Sequence, residues 1–179
     1  CDKWQEICMR KSDDSWFKAL QKKHIPFDFL YIDDETELSK LTQYKQLVYA
    51  HAVILTKKRA ELLKAYIAQG GTVIFGCRTG TKELNGQCTA MPMPGYASEL
   101  CGVEVEEFTV LSDFDDEEFI KIGDDTVTAP VYNEVLEVTD GEVIGTFKNN
   151  HYDGKPAMVK KQTGDGTAYY AGSVFGQDT

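Results

Sequence analysis

The sequence is short of positive charge. Its 19 Lys and Arg residues stand against 29 Asp and Glu residues, which gives a formal net charge of −10. Nucleic acids and anionic membrane surfaces both attract a basic face, so this balance argues against either as a partner. No apolar run approaches the roughly 20 residues that a membrane span needs. The chain opens at Cys1 without a Met or a signal segment, and we expect it to be a piece of a longer polypeptide.

Paired cysteines and the common catalytic motifs are also missing. The number of cysteines is odd, and no two have the two-residue spacing of a zinc or redox site. There is no glycosylation site, so a reducing, cytoplasmic setting is expected. Glycine-rich nucleotide loops, zinc-protease and serine-hydrolase motifs do not occur, and we expect no cofactor, metal or catalytic residue. The cysteines are Cys1, Cys8, Cys77, Cys88 and Cys101.

Residues 1–110 have the pattern of an α/β fold. Buried-type strands at Gln46–His51 and Thr72–Gly76 flank an amphipathic helix at Lys57–Gln69, which predicts a βαβ unit with parallel strands. Upstream, a helix is predicted from Ser12 or Asp13 to about Lys23, followed by a strand at Phe27–Ile32. Residues 1–9 would make a poor central strand, so the usual first strand of such a sheet is either replaced by them or missing.

Residues 111–179 form a β-rich extension, which together with the first part would make one domain spanning 1–179. Short strand-like segments alternate with turn residues, and the last two form an antiparallel hairpin across Thr163–Gly166. The segments, beginning with one just before residue 111, are Val103–Val110, Glu117–Ile122, Thr126–Ala129, Glu134–Thr139, Glu142–Lys148, Ala157–Gln162 and Thr167–Ala171.

The clearest candidate site is the loop Arg78–Gly95, which follows a strand of the predicted βαβ unit. Long ordered loops at the carboxyl edge of a parallel sheet usually bind a small molecule or a protein surface. His51 ends the neighbouring strand at the same edge. Cys77 has the position of a nucleophile at a strand-to-helix turn, but no His and Glu follow the late strand Thr167–Ala171 to activate it. A buried, inert cysteine is the expected role.

The other polar groups favour ordinary surface roles. Glu104 and Glu106 alternate with valines, which indicates the solvated face of a strand rather than a catalytic pair. The acidic run from Asp113 to Glu118 lacks the glycine of a calcium loop and is expected to be a solvated loop. Trp4 and Trp16 are the only tryptophans, and they would have to supply the stacking faces of any sugar-binding module.

Several segments in order resemble the middle, or trimerisation, domain of glycoside hydrolase family 42 β-galactosidases. The likeness is good over residues 25–110, poor over 111–153 and fair to residue 172. The matching segments are Ile25–Phe29, Leu41–Val48, Ala65–Val73, Arg78–Glu83, Pro94–Val105, Gly154–Val159 and Gly164–Tyr170.

The resemblance implies a fold, a function and partners. The fold would be a flavodoxin-like, amidotransferase-like three-layer sandwich with a mainly parallel sheet that has lost its catalytic residues. The function would be non-catalytic assembly of a homotrimer, beside a TIM barrel that carries the catalytic glutamates and is absent here. Arg78, Glu83, Asn85 and His51 would have interface or loop-fixing roles, with Arg78 in a bidentate carboxylate pair. Ala50-His51, where the family tends to have a proline, is a departure. The alternatives are an amidotransferase-like hydrolase using Cys77 and a sugar-binding module.

Overall fold

The computed structural model describes residues 2–111 and 117–176. Its four helices, in chain order, are α1 (Asp2–Lys22), α2 (Leu38–Leu41), α3 (Lys57–Ala68) and α4 (Ala97–Cys101). Its nine strands are β1 (Gln46–Tyr49), β2 (Thr72–Phe75), β3 (Val103–Val110), β4 (Phe119–Ile122), β5 (Asp125–Thr128), β6 (Tyr132–Val138), β7 (Glu142–Phe147), β8 (Pro156–Thr163) and β9 (Gly166–Ala171).

The βαβ unit formed by β1, α3 and β2 confirms the sequence prediction. The side chain of Thr56 caps α3 by accepting a hydrogen bond from the Arg59 backbone N–H at 3.2 Å. Leu63, Tyr66 and Ile67 bury one face of the helix against the sheet, and each contributes roughly 2 kcal/mol through its burial. The two strands pair in parallel, with Gln46 opposite Thr72.

The rest of the architecture is mixed and mostly antiparallel. Seven strands form a curled sheet in the order β1-β2-β9-β8-β7-β4-β5, and β3 pairs with β6 in a second sheet. The parallel pairs are β1 with β2 and β2 with β9. All the other pairs are antiparallel, including the predicted β8–β9 hairpin.

The expected flavodoxin-like, amidotransferase-like three-layer sandwich with a mainly parallel sheet is therefore wrong. Helices make up only about 23% of the chain. A parallel pair needs a crossover of a dozen or more residues, whereas β4 and β5, and β8 and β9, are joined by two-residue connections. Those short connections permit only antiparallel hairpins.

The N-terminal segment also differs from its prediction. Residues 2–9 belong to α1, which begins well before the predicted Ser12 or Asp13 cap. Ser12 instead lies within the helix, is buried, and donates a hydrogen bond to the carbonyl of Ala50 at 3.1 Å. The predicted strand Phe27–Ile32 is irregular, and Phe29 is 86% exposed. Leu30 and Ile32 pack against the core, but among the described residues the segment has no strand with which it pairs, so it lacks the backbone hydrogen bonds of a sheet.

The core continues from one sheet to the other. Val103 and Leu136, from the two-stranded sheet, join Phe75, Val159 and Tyr170 of the larger sheet in one buried cluster. A second cluster lies around Ile120, Phe147 and Tyr152, and a third contains Cys8, Cys77 and Tyr132 near α1. The first of these clusters is the largest, and it includes buried side chains of α3 and α4.

The acidic run is only partly a solvated loop. Residues 113–116 lie outside the described part of the chain, but Glu118 is fully buried. Its Oε1 accepts hydrogen bonds from the backbone N–H groups of Phe119, Lys148 and Asn149 at 3.0, 3.3 and 3.0 Å. Its Oε2 accepts from the Asn150 side chain at 2.6 Å. The prediction of a solvated loop is therefore wrong at Glu118, because backbone donors replace the lost water.

Gly102 provides the sharpest test of this packing. It ends α4 with φ +66°, and a Cβ added there would lie 1.8 Å from the carbonyl oxygen of Asp140. Gly123, in the β4–β5 turn, has a similar φ of +60°, and no described atom beyond its chain neighbours lies within 4 Å of its added Cβ. We expect Gly123→Ala to lower the free energy of unfolding by about 1 kcal/mol through backbone strain alone. Gly102→Ala should lower the free energy of unfolding by roughly 3 kcal/mol or more, because the backbone at Asp140 must also move.

Urea unfolding of the two variants and of the unsubstituted chain, at one protein concentration, makes the comparison. Equal losses of stability in the two alanine variants would contradict the close approach of α4 to the Asp140 turn.

Candidate functional site

A buried carboxyl group, Glu134, lies at the centre of the candidate site. It is on β6 near the carboxyl ends of β2 and β9 and is fully buried. Its Oε1 accepts a hydrogen bond from the backbone N–H of Arg78 at 3.0 Å, and its Oε2 accepts one from the Tyr170 hydroxyl at 2.8 Å. Its own backbone N–H donates to the carbonyl of Gly172 at 2.6 Å. Glu134 therefore joins the second sheet to the turn that follows β2 and to β9 in the first sheet.

Burial sets the protonation of this group. It raises the pKa of Glu134 to about 7, against the opposing effect of the hydrogen bonds from Tyr170 and from the Arg78 backbone. Sequence reasoning placed Glu134 in a strand but did not single it out. The available signal was a polar pair, Asn133-Glu134, inside an otherwise apolar run of strand residues.

Arg78 occupies the turn between β2 and the loop Arg78–Gly95. Its φ is +64°, in the left-handed region that residues other than glycine rarely adopt. The guanidinium carbon lies 5.2 Å from the centre of the Tyr132 ring, in a cation–π arrangement. The carboxyl group of Glu134 is thus bound by the Arg78 backbone N–H. The bidentate pair of the guanidinium with a carboxylate stays a prediction. Hydrogen bonding to Glu134 offsets the strain at this position.

His51 follows β1 and Arg78 follows β2, so both lie at the carboxyl ends of these two parallel strands. It is partly buried, and neither ring nitrogen has a hydrogen-bond partner among the described residues. Burial, and next the positive charge of Arg78, lower the pKa of His51 to about 4. The imidazole is therefore neutral at physiological pH and packs as part of the base of the loop.

The base of the loop Arg78–Gly95 is hydrogen-bonded to the segment that follows β1. Gly80 N–H donates to the Ala52 carbonyl at 2.8 Å, and Lys82 N–H donates to the Val53 carbonyl at 3.0 Å. The Thr79 hydroxyl donates to the Gly76 carbonyl at 2.7 Å. Because these bonds lie in a largely buried stretch, they hold the start of the loop in one conformation.

The tip of the loop is exposed. Glu83 and Asn85 both face solvent, and Asn85 Oδ1 accepts a hydrogen bond from the Gln87 N–H at 3.0 Å, which closes the turn. Leu84, between them, is 64% exposed. The structure therefore brings His51 and Arg78 together at the base and places Glu83 and Asn85 at the tip.

Cys77 is fully enclosed at the end of β2. Burial, followed by the nearby Glu134 carboxylate, raises its pKa well above that of an ordinary thiol. A nucleophilic cysteine needs the opposite shift, so the hydrolase alternative based on Cys77 is unsupported. Within residues 2–111 and 117–176, no three His, Cys, Asp or Glu side chains are grouped as a metal ion would require. No helix in this part of the chain is both long and apolar enough to cross a bilayer.

Glu134→Gln tests the buried carboxyl group through the pH dependence of stability. A carboxyl whose pKa is raised from 4.5 to about 7 on folding stabilises the fold fully below the unfolded value, and this contribution is lost as the pH rises through 7. Glutamine does not titrate, so the variant does not lose stability at position 134 as the pH rises. We expect the stability of the variant relative to the unsubstituted chain to rise from pH 5 to pH 8, by roughly 3 kcal/mol.

Urea unfolding at several pH values measures this difference. His51 contributes with the opposite sign, because its lowered pKa favours the fold above 6.5 and costs stability as the pH falls toward 4; that effect is common to both proteins and cancels. Glu142→Gln, at an exposed position on β7, is the matched control and should give a flat difference. A flat difference for Glu134→Gln would contradict the raised pKa.

Comparison with known proteins shows similarity to β-galactosidases along most of the chain. β-Galactosidase BgaA of Clostridium cellulovorans is 31% identical over 144 residues, which cover 77% of this chain and 21% of that protein. BgaB of a Geobacillus species is 25% identical over 162 residues, which cover 89% of this chain and 23% of that protein. The crystal structure of β-galactosidase from Bacillus circulans sp. alkalophilus superposes on this chain with a TM-score of 0.81 at 25% identity. The superposition covers 92% of this chain and 24% of that one.

The chain spans less than a quarter of the length of these relatives. The matched family is described as the β-galactosidase trimerisation domain, and the match covers residues 3–179. The matched segment is thus the trimerisation part of such enzymes and not their catalytic part. By this match the chain belongs to the family of β-galactosidase trimerisation domains.

Proposed function

We propose that this chain holds together the homotrimer of a β-galactosidase-type enzyme and supports the active site of a TIM barrel located elsewhere in that enzyme. The family match and the greater length of the relatives support the proposal. The observation that carries it is the loop Arg78–Gly95, which combines a fixed base with an exposed, partly apolar tip. A preorganised loop loses little conformational freedom when it docks against a neighbouring subunit.

The residues of the loop divide between two roles. Arg78 and His51 would fix the base, through Glu134 and through packing at the end of β1 and β2. Glu83 and Asn85 would make polar contacts at the rim of the interface, around Leu84 at its centre. An apolar centre with a polar rim is the usual anatomy of a protein interface.

We also propose a cytoplasmic location and no nucleic-acid partner. Cys8, Cys77, Cys88 and Cys101 are free thiols, as expected in a reducing compartment. The net charge of −10 opposes binding to the phosphate backbone of nucleic acids.

The proposal is tested by light scattering after size exclusion, across a series of protein concentrations. The expected mass is about three times the 20.1 kDa of one chain. Leu84→Ser should shift the distribution toward monomer. At a concentration at which both proteins are monomeric it should leave the unfolding temperature unchanged, because the side chain contacts little within its own chain. Val143→Ser, at another exposed apolar position (41% against 64% for Leu84), should leave the mass unchanged.

Two variants at residue 78 separate the guanidinium from the backbone. Arg78→Gly keeps the left-handed conformation and the N–H bond to Glu134 while it removes the side chain; Arg78→Ala also keeps the backbone strain. We expect both to weaken assembly. A monomer at every concentration would contradict the proposal that this segment by itself carries the assembly contacts. A trimer unaffected by the Leu84 and Arg78 variants would remove the loop from the interface.

A further inference from the structure

A cavity separate from the Glu134 network lies between α1 and the carboxyl ends of β2 and β9. Its volume is about 140 Å³, and it is partly open to solvent. One wall is the α1 face that carries Ser12, Ser15 and Trp16, and the opposite wall runs along Ile74 and the residues from Ala171 to Gly176. The carboxyl ends of parallel strands are where α/β sheets commonly bind ligands.

The serine hydroxyl groups that line the cavity differ in whether they have hydrogen-bond partners. Ser12 donates to the Ala50 carbonyl. The single hydrogen of the Ser15 hydroxyl is shared between the carbonyls of Lys11 and Phe175, whose oxygens lie 2.6 and 2.9 Å from Ser15 Oγ. Ser173 is only 4% exposed, and its hydroxyl has no hydrogen-bond partner among the described residues. A buried hydroxyl without a partner is costly, and Ser173 lines the cavity, so an occupant with polar groups would satisfy it.

The remaining lining restricts the chemistry of that occupant. In the described part of the chain, no charged side chain lines the cavity, and its apolar lining includes Trp16, Ile74 and Phe175. A charged ligand would therefore find no counter-charge, and a purely apolar one would leave Ser173 unpaired. A cavity of roughly 150 Å³ holds one six-membered ring, which excludes a disaccharide as a fully enclosed guest.

We propose that this cavity binds a neutral pyranose monosaccharide. The C–H face of the sugar packs against Trp16, one ring hydroxyl pairs with Ser173, and the other hydroxyls reach the open mouth. An apolar pocket with a few placed hydroxyls is the general form of such sites. Trp16 thus takes the stacking role considered from the sequence, whereas the side chain of Trp4 lies outside the described part. The class of ligand stands on the cavity itself; only the choice of galactose among the probes rests on the proposed function.

Heteronuclear NMR titration of the ¹⁵N-labelled chain with D-galactose, D-glucose and D-mannose tests the proposal. With at least one sugar we expect saturable shifts confined to the Trp16 indole N–H and to the amides of Gly76 and Ser173. Ser173→Ala should weaken the binding about three- to tenfold, as expected for one lost hydrogen bond. It should leave the unfolding temperature unchanged or higher, because the variant removes an unpaired buried hydroxyl. A merely structural serine would lower it.

Ser39→Ala, at an exposed position on α2, is the matched control and should leave the affinity unchanged. Three results would overturn the proposal: no saturable shift at the cavity with any of the three sugars, equal affinity in Ser173→Ala, or the same shifts with cyclohexanol. The amide shifts report on the cavity at any oligomeric state. A failure here is therefore distinguishable from a failure of the trimer, which is read from the mass.

Discussion

The structure depends on one buried carboxyl group. Glu134 is enclosed where the two sheets meet and accepts hydrogen bonds from the turn after β2 and from Tyr170 on β9. An isolated buried carboxylate would be very costly. Its cost is offset by the donors that converge on it, and those donors are fixed in position as a result. The strained backbone of Arg78 is tolerated because its N–H is one of them.

This arrangement accounts for the properties of the adjoining loop. The turn that binds Glu134 continues into residues that are hydrogen-bonded to Ala52 and Val53, so the loop leaves the sheet in one direction. Beyond this base the chain returns to solvent and presents Leu84 between two polar residues. Packing inside the domain thus determines the position of the surface that we propose contacts another subunit.

Local features were predicted from the sequence far better than the architecture. The helix α3 and the strands on either side were found because periodicity, a Thr56 cap and a Gly70 exit act within a dozen residues. The strands after residue 102 were located to within about two residues by their turn signals. Apart from the β8–β9 hairpin, their pairing was not predicted, because parallel or antiparallel order depends on partners distant in sequence.

The misses at single residues have the same origin. Glu118 and Glu134 carry charged side chains that normally lie at the surface, and both are buried because donors distant in the sequence converge on them. Phe27–Ile32 has strand composition but pairs with no strand among the described residues. For the candidate site, the sequence pointed to the loop and to His51 as candidates, which stay predictions, but it did not point to Glu134, whose carboxyl group binds the base of the loop.

The ionisation of Glu134 tests most directly whether this buried carboxyl group holds the base of the loop. Carboxyl ¹³C NMR over a pH titration, assigned with Glu134→Gln, would follow this group while the Arg78 amide is observed in parallel. We expect a midpoint near 7 for Glu134 and a shift of the Arg78 amide with the same midpoint. A midpoint near 4.5, or an Arg78 amide that does not respond, would contradict a buried carboxyl that holds the base of the loop.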